Sequence, residues 1–558
     1  MFPKELREYE AVSSAEDVGS CSGIDLRTLG WVRPLAGEYA GNFRQIAPLY
    51  AGDPASRDAW TAAITRTRQH ARNREGIASV VEAQQQRRAA PPAARAAAAL
   101  LRQPDTVAVV TGQQAGAFGG PLFTLLKAIT AIQLARRTAA EHRVPAVAVF
   151  WIDAEDHDWN EVRSTTVLDA ELHPRTITLT EPNGAGRLPI AALELDDRVS
   201  AAIEELRAAL APTDFTESVV AAAAAAWRPG VRMGDAFGRW LESLLGPHGL
   251  VVFESADPAA KPFVADLFAR ELQFPGRTSA LAAAAGQELA ARGHQPQVVP
   301  QPESVALFRL DGTRTPMRRQ GDAIAVGDRT FPPGVLAAEA VDHPERFSPN
   351  VLLRPLVQDT LFPTICYVAG PSELAYLGQL KGVYEHFGVP MPLMYPRASA
   401  TLIDSATRRF LTRYEVPLQD LQPQDESALN RLLQSQLPAS VEQALADADT
   451  AMRRTLERVI EVIPAVDPTL AGAARTTLGK IEHDLRGLQN KVIQAAKKRD
   501  ETLRRQFARA QGQIFPLGHP QERTLGVVFF LNRYGPALVD RLLEELPLEM
   551  GRHWVMTI

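Results

Sequence analysis

The chain has 558 residues, 46% of them apolar and 22% charged, which excludes a disordered polymer and leaves room for more than one core. A formal net charge of -5 gives no global electrostatic pull toward nucleic acid. Two cysteines, Cys21 and Cys366, cannot build a disulfide framework or a thiolate metal cage, so a reducing cytoplasm is the expected home. The opening Met1-Phe2-Pro3-Lys4-Glu5 lacks the charged-then-apolar order of a signal peptide. The Ala-rich runs are broken by Arg, Asp or Pro before reaching bilayer length.

Four short apolar runs read as buried strands: Val107–Val110, Ala146–Trp151, Leu250–Phe253 and Ile365–Val368. Unbroken apolar character is what a parallel sheet covered on both faces requires. A fifth run, Met391–Tyr395, contains a proline and is expected at an edge. Helical spacing over Pro121–Arg137 connects the first two strands, and helical spacing over Ser372–Phe387 connects the last two. Two such crossovers predict a doubly wound sheet, with ligands at the carboxyl ends of its strands. Between the halves, residues 286–349 carry alternating runs and a hairpin signature, Ser304–Leu310 followed by Asp311-Gly312.

After Asp404 the chain turns helical. Leu445, Met452 and Val459 repeat every seven residues, with Leu456 and Ile463 beside them, until Pro464 and Pro468 interrupt. Leu478, Ile481, Leu485, Leu488, Val492 and Ala495 then alternate steps of three and four. This pattern predicts an antiparallel coiled-coil hairpin, and a last helix over Pro536–Leu546. The basic run Lys491, Lys497, Lys498, Arg499, Arg504, Arg505 and Arg509 reads as its solvated face or as a phosphate-binding arm. The fold class is therefore α/β: a Rossmann-like parallel sheet with inserts, plus a C-terminal helical coiled-coil domain. The expected divisions are 1–163 and 350–404 (with 246–285) for the core, 164–245 and 286–349 for inserts, 405–515 for the arm and 516–558 for a segment packing on the body.

Four polar clusters fall at the predicted strand ends. The first is Thr111-Gly112-Gln113-Gln114-Ala115-Gly116-Ala117-Phe118-Gly119-Gly120-Pro121, whose four glycines at a strand-to-helix turn offer N–H groups and a helix dipole to an anion, or simply make a tight turn. No Gly-Lys-Ser/Thr follows, so it is not a Walker loop. The second, Asp153-Ala154-Glu155-Asp156-His157-Asp158, gathers carboxylates that repel one another unless a cation, a substrate amine or capping contacts neutralise them. Asp156 or Asp158 capping a helix is the structural alternative. His157 is a candidate for orienting substrate or moving a proton.

The third cluster holds Asn350, Arg354, Gln358 and Asp359, with Arg354 suited either to clamp a carboxylate or to a structural ion pair. The fourth is Gly370-Pro371-Ser372-Glu373-Leu374-Ala375-Tyr376, with Ser372 as the expected N-cap, followed downstream by Arg397, Ser399 and Thr401. Cys366 sits inside a predicted strand and reads as a core residue. Neither a Gly-x-Ser-x-Gly elbow nor a His-Glu-x-x-His motif occurs.

The runs Thr111–Gly116 with Gly119–Leu122, Phe150–Ile152 with Glu155–Asp158, Ser348–Asn350 with Leu353–Pro355, Gly370-Pro371 with Glu373–Tyr376, Phe387–Pro392 with Pro396-Arg397, and Phe530–Pro536 together resemble the bacillithiol-biosynthesis cysteine ligase (BshC) family. The resemblance implies a Rossmann core with connecting-peptide inserts, akin to nucleotidylyltransferases and class I aminoacyl-tRNA synthetases, and a coiled coil that forms a homodimer. It implies a ligase that joins the carboxylate of L-cysteine to the amine of glucosaminyl-malate; the net charge and the broken apolar runs lead us to expect no nucleic-acid or membrane partner. A free carboxylate has a poor leaving group, so amide formation needs its activation, for which ATP and Mg²⁺ are the cofactors the resemblance suggests. In that reading Glu155, Asp156, His157, Asp158 and Arg354 are the catalytic set. Thr111, Gly112, Gln113, Gln114, Gly119, Gly120, Asn350, Gly370, Ser372, Glu373, Tyr376, Arg397 and Ser399 bind substrate or nucleotide. Gln113 and Gln114 stand where class I synthetases carry histidines, and the late loop with Arg397 has no lysine. A nucleotidyltransferase acting on a sugar or small acid, and a non-catalytic coiled-coil scaffold, are the competing readings.

Overall fold

The computed structural model describes residues 21–436, 439–499 and 501–558. The opening Met1–Glu5, and the side chains of Lys497, Lys498 and Arg499 in the basic run, lie outside the described residues. The chain forms two compact units. One comprises the described residues up to Val167 with Arg175–Leu402 and Leu525–Ile558; the other comprises Leu168–Pro174 and Ile403–Thr524.

The first unit is built on Val107–Gln114 (β1), Leu122–His142 (α1), Ala146–Asp153 (β2), Met233–Leu245 (α2), Val251–Glu254 (β3), Arg354–Leu361 (α3), Thr364–Ala369 (β4), Pro371–Leu377 (α4) and Leu393–Pro396 (β5). The strands run parallel in the order β3-β2-β1-β4-β5. This is the doubly wound Rossmann order, and its topological switch lies between β1 and β4. Val107–Val110 and Val147–Ile152 are buried on both faces, as their unbroken apolar runs require. The proline-bearing strand β5 takes the edge. At about 25 cal/mol per Å² of apolar area removed from water, this two-sided burial is the main force holding the layer together.

Three local expectations change. β1 extends four residues beyond its apolar run, so Thr111, Gly112, Gln113 and Gln114 are strand residues and Gln114 pairs with Asp153 of β2. A Cβ on Gly112 would stand 2.9 Å from the Trp151 carbonyl oxygen, which is why the paired position needs glycine. The helix expected over Ser372–Phe387 is two helices, α4 and Lys381–Phe387. Tyr50 donates its hydroxyl to the Leu374 carbonyl, and the buried Gln379 amide bonds Ala282 and Val298, pulling the chain out of helical register between them. The last helix is Leu538–Glu545, shorter at both ends than Pro536–Leu546.

The hairpin expected after Ser304 belongs to a five-stranded antiparallel sheet. Its order is Arg329–Phe331, Ala323–Val326, Arg314–Gln320, Ser304–Leu310, Phe347–Pro349. Gly312, at φ +69°, makes the turn. A three-stranded sheet joins Cys21–Asp25, Arg552–Thr557 and Ser399–Ile403. In the second unit, Ala439–Val462 and Leu470–Arg499 form the helical hairpin, joined through Ile463–Ala465 and bridged by Arg453 to Glu482 at 2.8 Å. Leu445, Met452, Leu456, Leu478, Ile481 and Leu485 are half-buried along its seam. Among the described residues no helix is long and apolar enough to cross a membrane.

Candidate active site at the switch between β1 and β4

The carboxyl ends of β1, β2 and β4 converge on a dense set of charged side chains. Lys127, on the buried face of α1, reaches the Gly112 carbonyl at 2.7 Å and the Gln113 side-chain oxygen at 3.2 Å, and pairs with Glu373. Glu373 also accepts from the Gly370 amide at 2.6 Å and the Tyr367 hydroxyl at 2.8 Å. Burial alone would raise Glu373, but Lys127, the Gly370 N–H and Tyr367 outweigh it and hold the carboxyl below its ordinary value. Burial draws the Lys127 ammonium below its ordinary value in spite of Glu373. The Gly370 backbone is the N-cap of α4, so Ser372 lies in the first turn and does not cap it.

Arg354 opens α3 and is buried. It donates to the Tyr376 hydroxyl at 2.8 Å and stands 3.4 Å from Asp153 at the end of β2. No described residue accepts a hydrogen bond from its Nη1. Burial, with Glu155 and Asp156 nearby, raises the Asp153 carboxyl against the pull of Arg354. Asn350 accepts from the Leu352 and Leu353 amides at 2.9 and 3.3 Å; it shapes the turn that delivers Arg354 and does not join the cluster.

The acidic turn after β2 is neutralised by cations of the protein itself. Glu155 is paired with the buried Lys261 at 2.7 Å. Asp156 accepts from Arg314 at 3.1 Å, from Gln114 at 3.5 Å and from the His157 amide at 2.7 Å. Arg314 comes from the antiparallel insert, stacked 3.8 Å over the Phe308 ring and tied to the Pro349 carbonyl at 3.0 Å. His157 is half-exposed with Nδ1 3.2 Å from Asp156, and Asp158 caps the short helix Trp159–Val162. Among the described residues no group of three or more His, Cys, Asp or Glu side chains is placed to hold a metal ion. With these carboxylates already engaged by Lys and Arg, the residues present do not fit a Mg²⁺ site.

The remaining sequence candidates divide. Thr111 is buried and clips β1 to the Val368 carbonyl of β4 at 3.0 Å. Gly119 and Gly120 lie away from the cluster. Their amides bond within the turn, Gly120 accepts from Val527, and a Cβ on Gly119 would lie 2.5 Å from Trp240 Nε1. The Leu122 amide, at the start of α1, is taken by the Leu525 carbonyl. The Gly116, Gly119, Gly120 and Leu122 amides are thus taken by carbonyls of the protein itself. Arg397 is buried over the Phe123 ring, close enough for its charge to be felt at Lys127. Ser399 and Thr401 flank His553, each 2.8 Å from one of its ring nitrogens, in a buried bridge apart from the cluster.

Sequence reading missed Lys127, Arg314, Tyr367 and Lys261 as site residues, and placed Asp153 in the acidic cluster but outside the catalytic set. A single lysine on the inward face of Leu122–Ile132 was the available signal for Lys127. None was available for Arg314.

Residues 21–398 match the family described as "Bacillithiol biosynthesis BshC, N-terminal Rossmann-like domain", and residues 400–558 match "Bacillithiol biosynthesis BshC, C-terminal coiled-coil domain". The chain belongs to the BshC family. Proteins named "Putative cysteine ligase BshC" from Salinibacter ruber and Symbiobacterium thermophilum are each 35% identical to it. They cover 95% and 92% of this chain, and 97% and 95% of their own lengths. A relative of the same name from Chlorobaculum tepidum is 32% identical over 80% of the chain and 82% of its own length. BshC membership accounts for both the Rossmann order and the helical hairpin; of the switch-point cluster, Gln113, Asp156, Arg354, Glu373 and Tyr376 lie in runs on which the family resemblance rests, and Lys127, Asp153, Arg314 and Tyr367 lie outside them.

Proposed function

We propose that the chain is a ligase that joins the carboxylate of L-cysteine to the amine of glucosaminyl-malate. The observation that carries this reading is Arg354, buried at the topological switch of a BshC-family Rossmann core, with Nη2 on Tyr376, Nε beside Asp153 and Nη1 giving no hydrogen bond to a described residue. Such a group receives a substrate carboxylate by charge-assisted hydrogen bonds, with Tyr376 and Asp153 fixing its plane. Lys127 and Arg397 add positive potential where charge develops on the carbonyl during acyl transfer. In the reaction the amine nitrogen bonds to the activated carboxyl carbon, the carbon–oxygen bond to the activating group breaks so that this group leaves with the carboxyl oxygen, and the amine releases a proton to solvent. Activation by a nucleotide belongs to the proposal. The same reading assigns self-association to the helical hairpin, where Val459, Val462 and Val466 stand exposed; a monomer in sedimentation velocity would remove that part.

Purified protein incubated with cysteine and glucosaminyl-malate, with and without ATP, is expected to yield the cysteinyl amide by mass spectrometry. Arg354→Lys keeps the charge but loses the planar fork, so kcat/KM is expected to fall about tenfold or more. Absence of the amide under every nucleotide supply, or full activity in Arg354→Lys, refutes the reading.

A further inference from the structure

A cavity of 740 Å³ opens at the carboxyl end of β3, and the Lys261–Glu155 pair forms part of its wall. Its size lies within the roughly 300–1,000 Å³ typical of small-molecule sites. Helix α2 lines it with Asp235 and Arg239, one turn apart, and Arg232 precedes that helix. β3 contributes Glu254, 7% exposed, whose backbone N–H is held at 2.8 Å by Gln84. A Cβ on Gly234 would stand 3.0 Å from the Glu254 carboxyl carbon, so glycine there lets the carboxylate lie against α2.

Two groups in this cavity are incompletely satisfied. Arg239 Nε is buried with no hydrogen-bond partner. The Glu254 carboxylate accepts no hydrogen bond from a described residue, and its nearest cation, Arg87, stands 4.0 Å away while bonding Asp235 at 3.2 Å. Burial, with Asp235 beside it, raises Glu254 to about 7. Buried donors and acceptors in folded proteins are nearly always matched. A buried donor lacking an acceptor, beside a carboxylate that lines the cavity and takes no hydrogen bond from a described residue, suits a ligand that brings one of each. A simple anion would leave Glu254 unmatched, and a simple amine would leave Arg239 unmatched.

We propose that this cavity seats the amine-bearing substrate, a small molecule with a primary ammonium against Glu254 and Asp235 and at least one carboxylate on Arg239 and Arg232. The assignment rests on the ligase reading for the ligand's place in the reaction, but the binding chemistry stands on the cavity alone. Glu155 belongs both to the cavity wall and to the turn after β2 that carries Asp153 and Asp156. The amine is thereby delivered beside the switch-point cluster, where the cysteine carboxylate is placed.

The test is calorimetric titration of the full chain with glucosaminyl-malate, with its N-acetyl derivative and with glucosamine, on wild type, Glu254→Gln and Arg239→Gln. Both variants are first checked for native melting behaviour. Wild type is expected to bind glucosaminyl-malate at least about tenfold more tightly than either analogue, one lacking the ammonium and the other the acids. Glu254→Gln should lose about tenfold for glucosaminyl-malate and little for the N-acetyl form; Arg239→Gln should lose affinity for both. Equal affinity for all three ligands, or glucosaminyl-malate binding unchanged in both variants, overturns the proposal. Amide formation with an unaltered KM for glucosaminyl-malate in both variants would leave the ligase reading standing and remove this one. Ammonium-dependent binding without any amide would do the reverse.

Discussion

Lys127 and Glu373 illustrate how a buried charge pair can be held at a site without serving as a pure stabiliser. Each has lost water, and each recovers polar partners: Lys127 from the Gly112 carbonyl and Gln113, Glu373 from the Gly370 amide and Tyr367. Replacing one member leaves the other buried and unpaired, which costs about 3–5 kcal/mol. Lys127→Met is therefore expected to lower the urea midpoint strongly, whereas Lys127→Met with Glu373→Gln should recover much of the loss. A single variant with wild-type stability would show that water already reaches Glu373. Arg88 and Glu242 form a second such pair, with Arg88 bonding Glu242 at 2.8 and 3.0 Å and the Val252 carbonyl at 2.7 Å. That pair pins the helix Arg74–Arg88 and α2 to β3, so it acts on the wall of the cavity and not on the switch-point cluster.

At the scale of elements, the glycine turn between β1 and α1 is a packing device. Phe118, Gly119 and Gly120 all have positive φ, and Gly119 at +95° faces Trp240 of α2. Gly119→Ala meets both a conformational penalty and a steric one, and a loss of about 1–3 kcal/mol or more is expected in chemical denaturation. A neutral outcome would mean the turn can move off Trp240. This element also marks where sequence reasoning stops. Glycines after a parallel strand carry the same signature whether they cradle a ligand or admit a neighbouring indole. Only the tertiary approach of α2 and of residues 525–527 distinguishes the two. The strands were legible because two-sided burial writes itself as unbroken Val, Ile, Ala and Phe. Arg354 and Asp156 were legible as polar residues beside those strands. Arg314 was not, because its role depends on Phe347–Pro349 pairing with Ser304–Leu310 and carrying the hairpin to the acidic turn. The break between α4 and Lys381–Phe387 was equally hidden, since Tyr50 and Val298, which compete for the backbone and side chains there, are distant in sequence.

At the scale of the whole molecule, carboxyls are shifted in opposite directions according to whether burial or a charged partner prevails. In the unit with the parallel sheet, burial raises Glu254 and Glu271 to about 7 and Asp359 to about 6. A carboxyl raised on folding binds its proton more tightly in the native state, so its stabilisation is complete below the unfolded value of 4.5 and is lost as pH climbs through about 7. In the other unit Asp404 is held at about 2. Burial opposes that shift, but Arg509 at 2.7 Å and the Thr407 amide at 2.7 Å prevail. Its stabilisation is present above 3.8 and is lost as pH falls toward 2. Glu254→Gln supplies a permanently neutral side chain of the same shape. Relative to wild type it should be neutral at pH 4.5 and stabilising by about 1–3 kcal/mol at pH 8, the difference opening between those values. Denaturation curves of the two proteins across that window decide the matter. A gap independent of pH would mean that Glu254 is already ionised in the native protein at low pH. The unmatched carboxylate assigned to a substrate ammonium would then be satisfied without one.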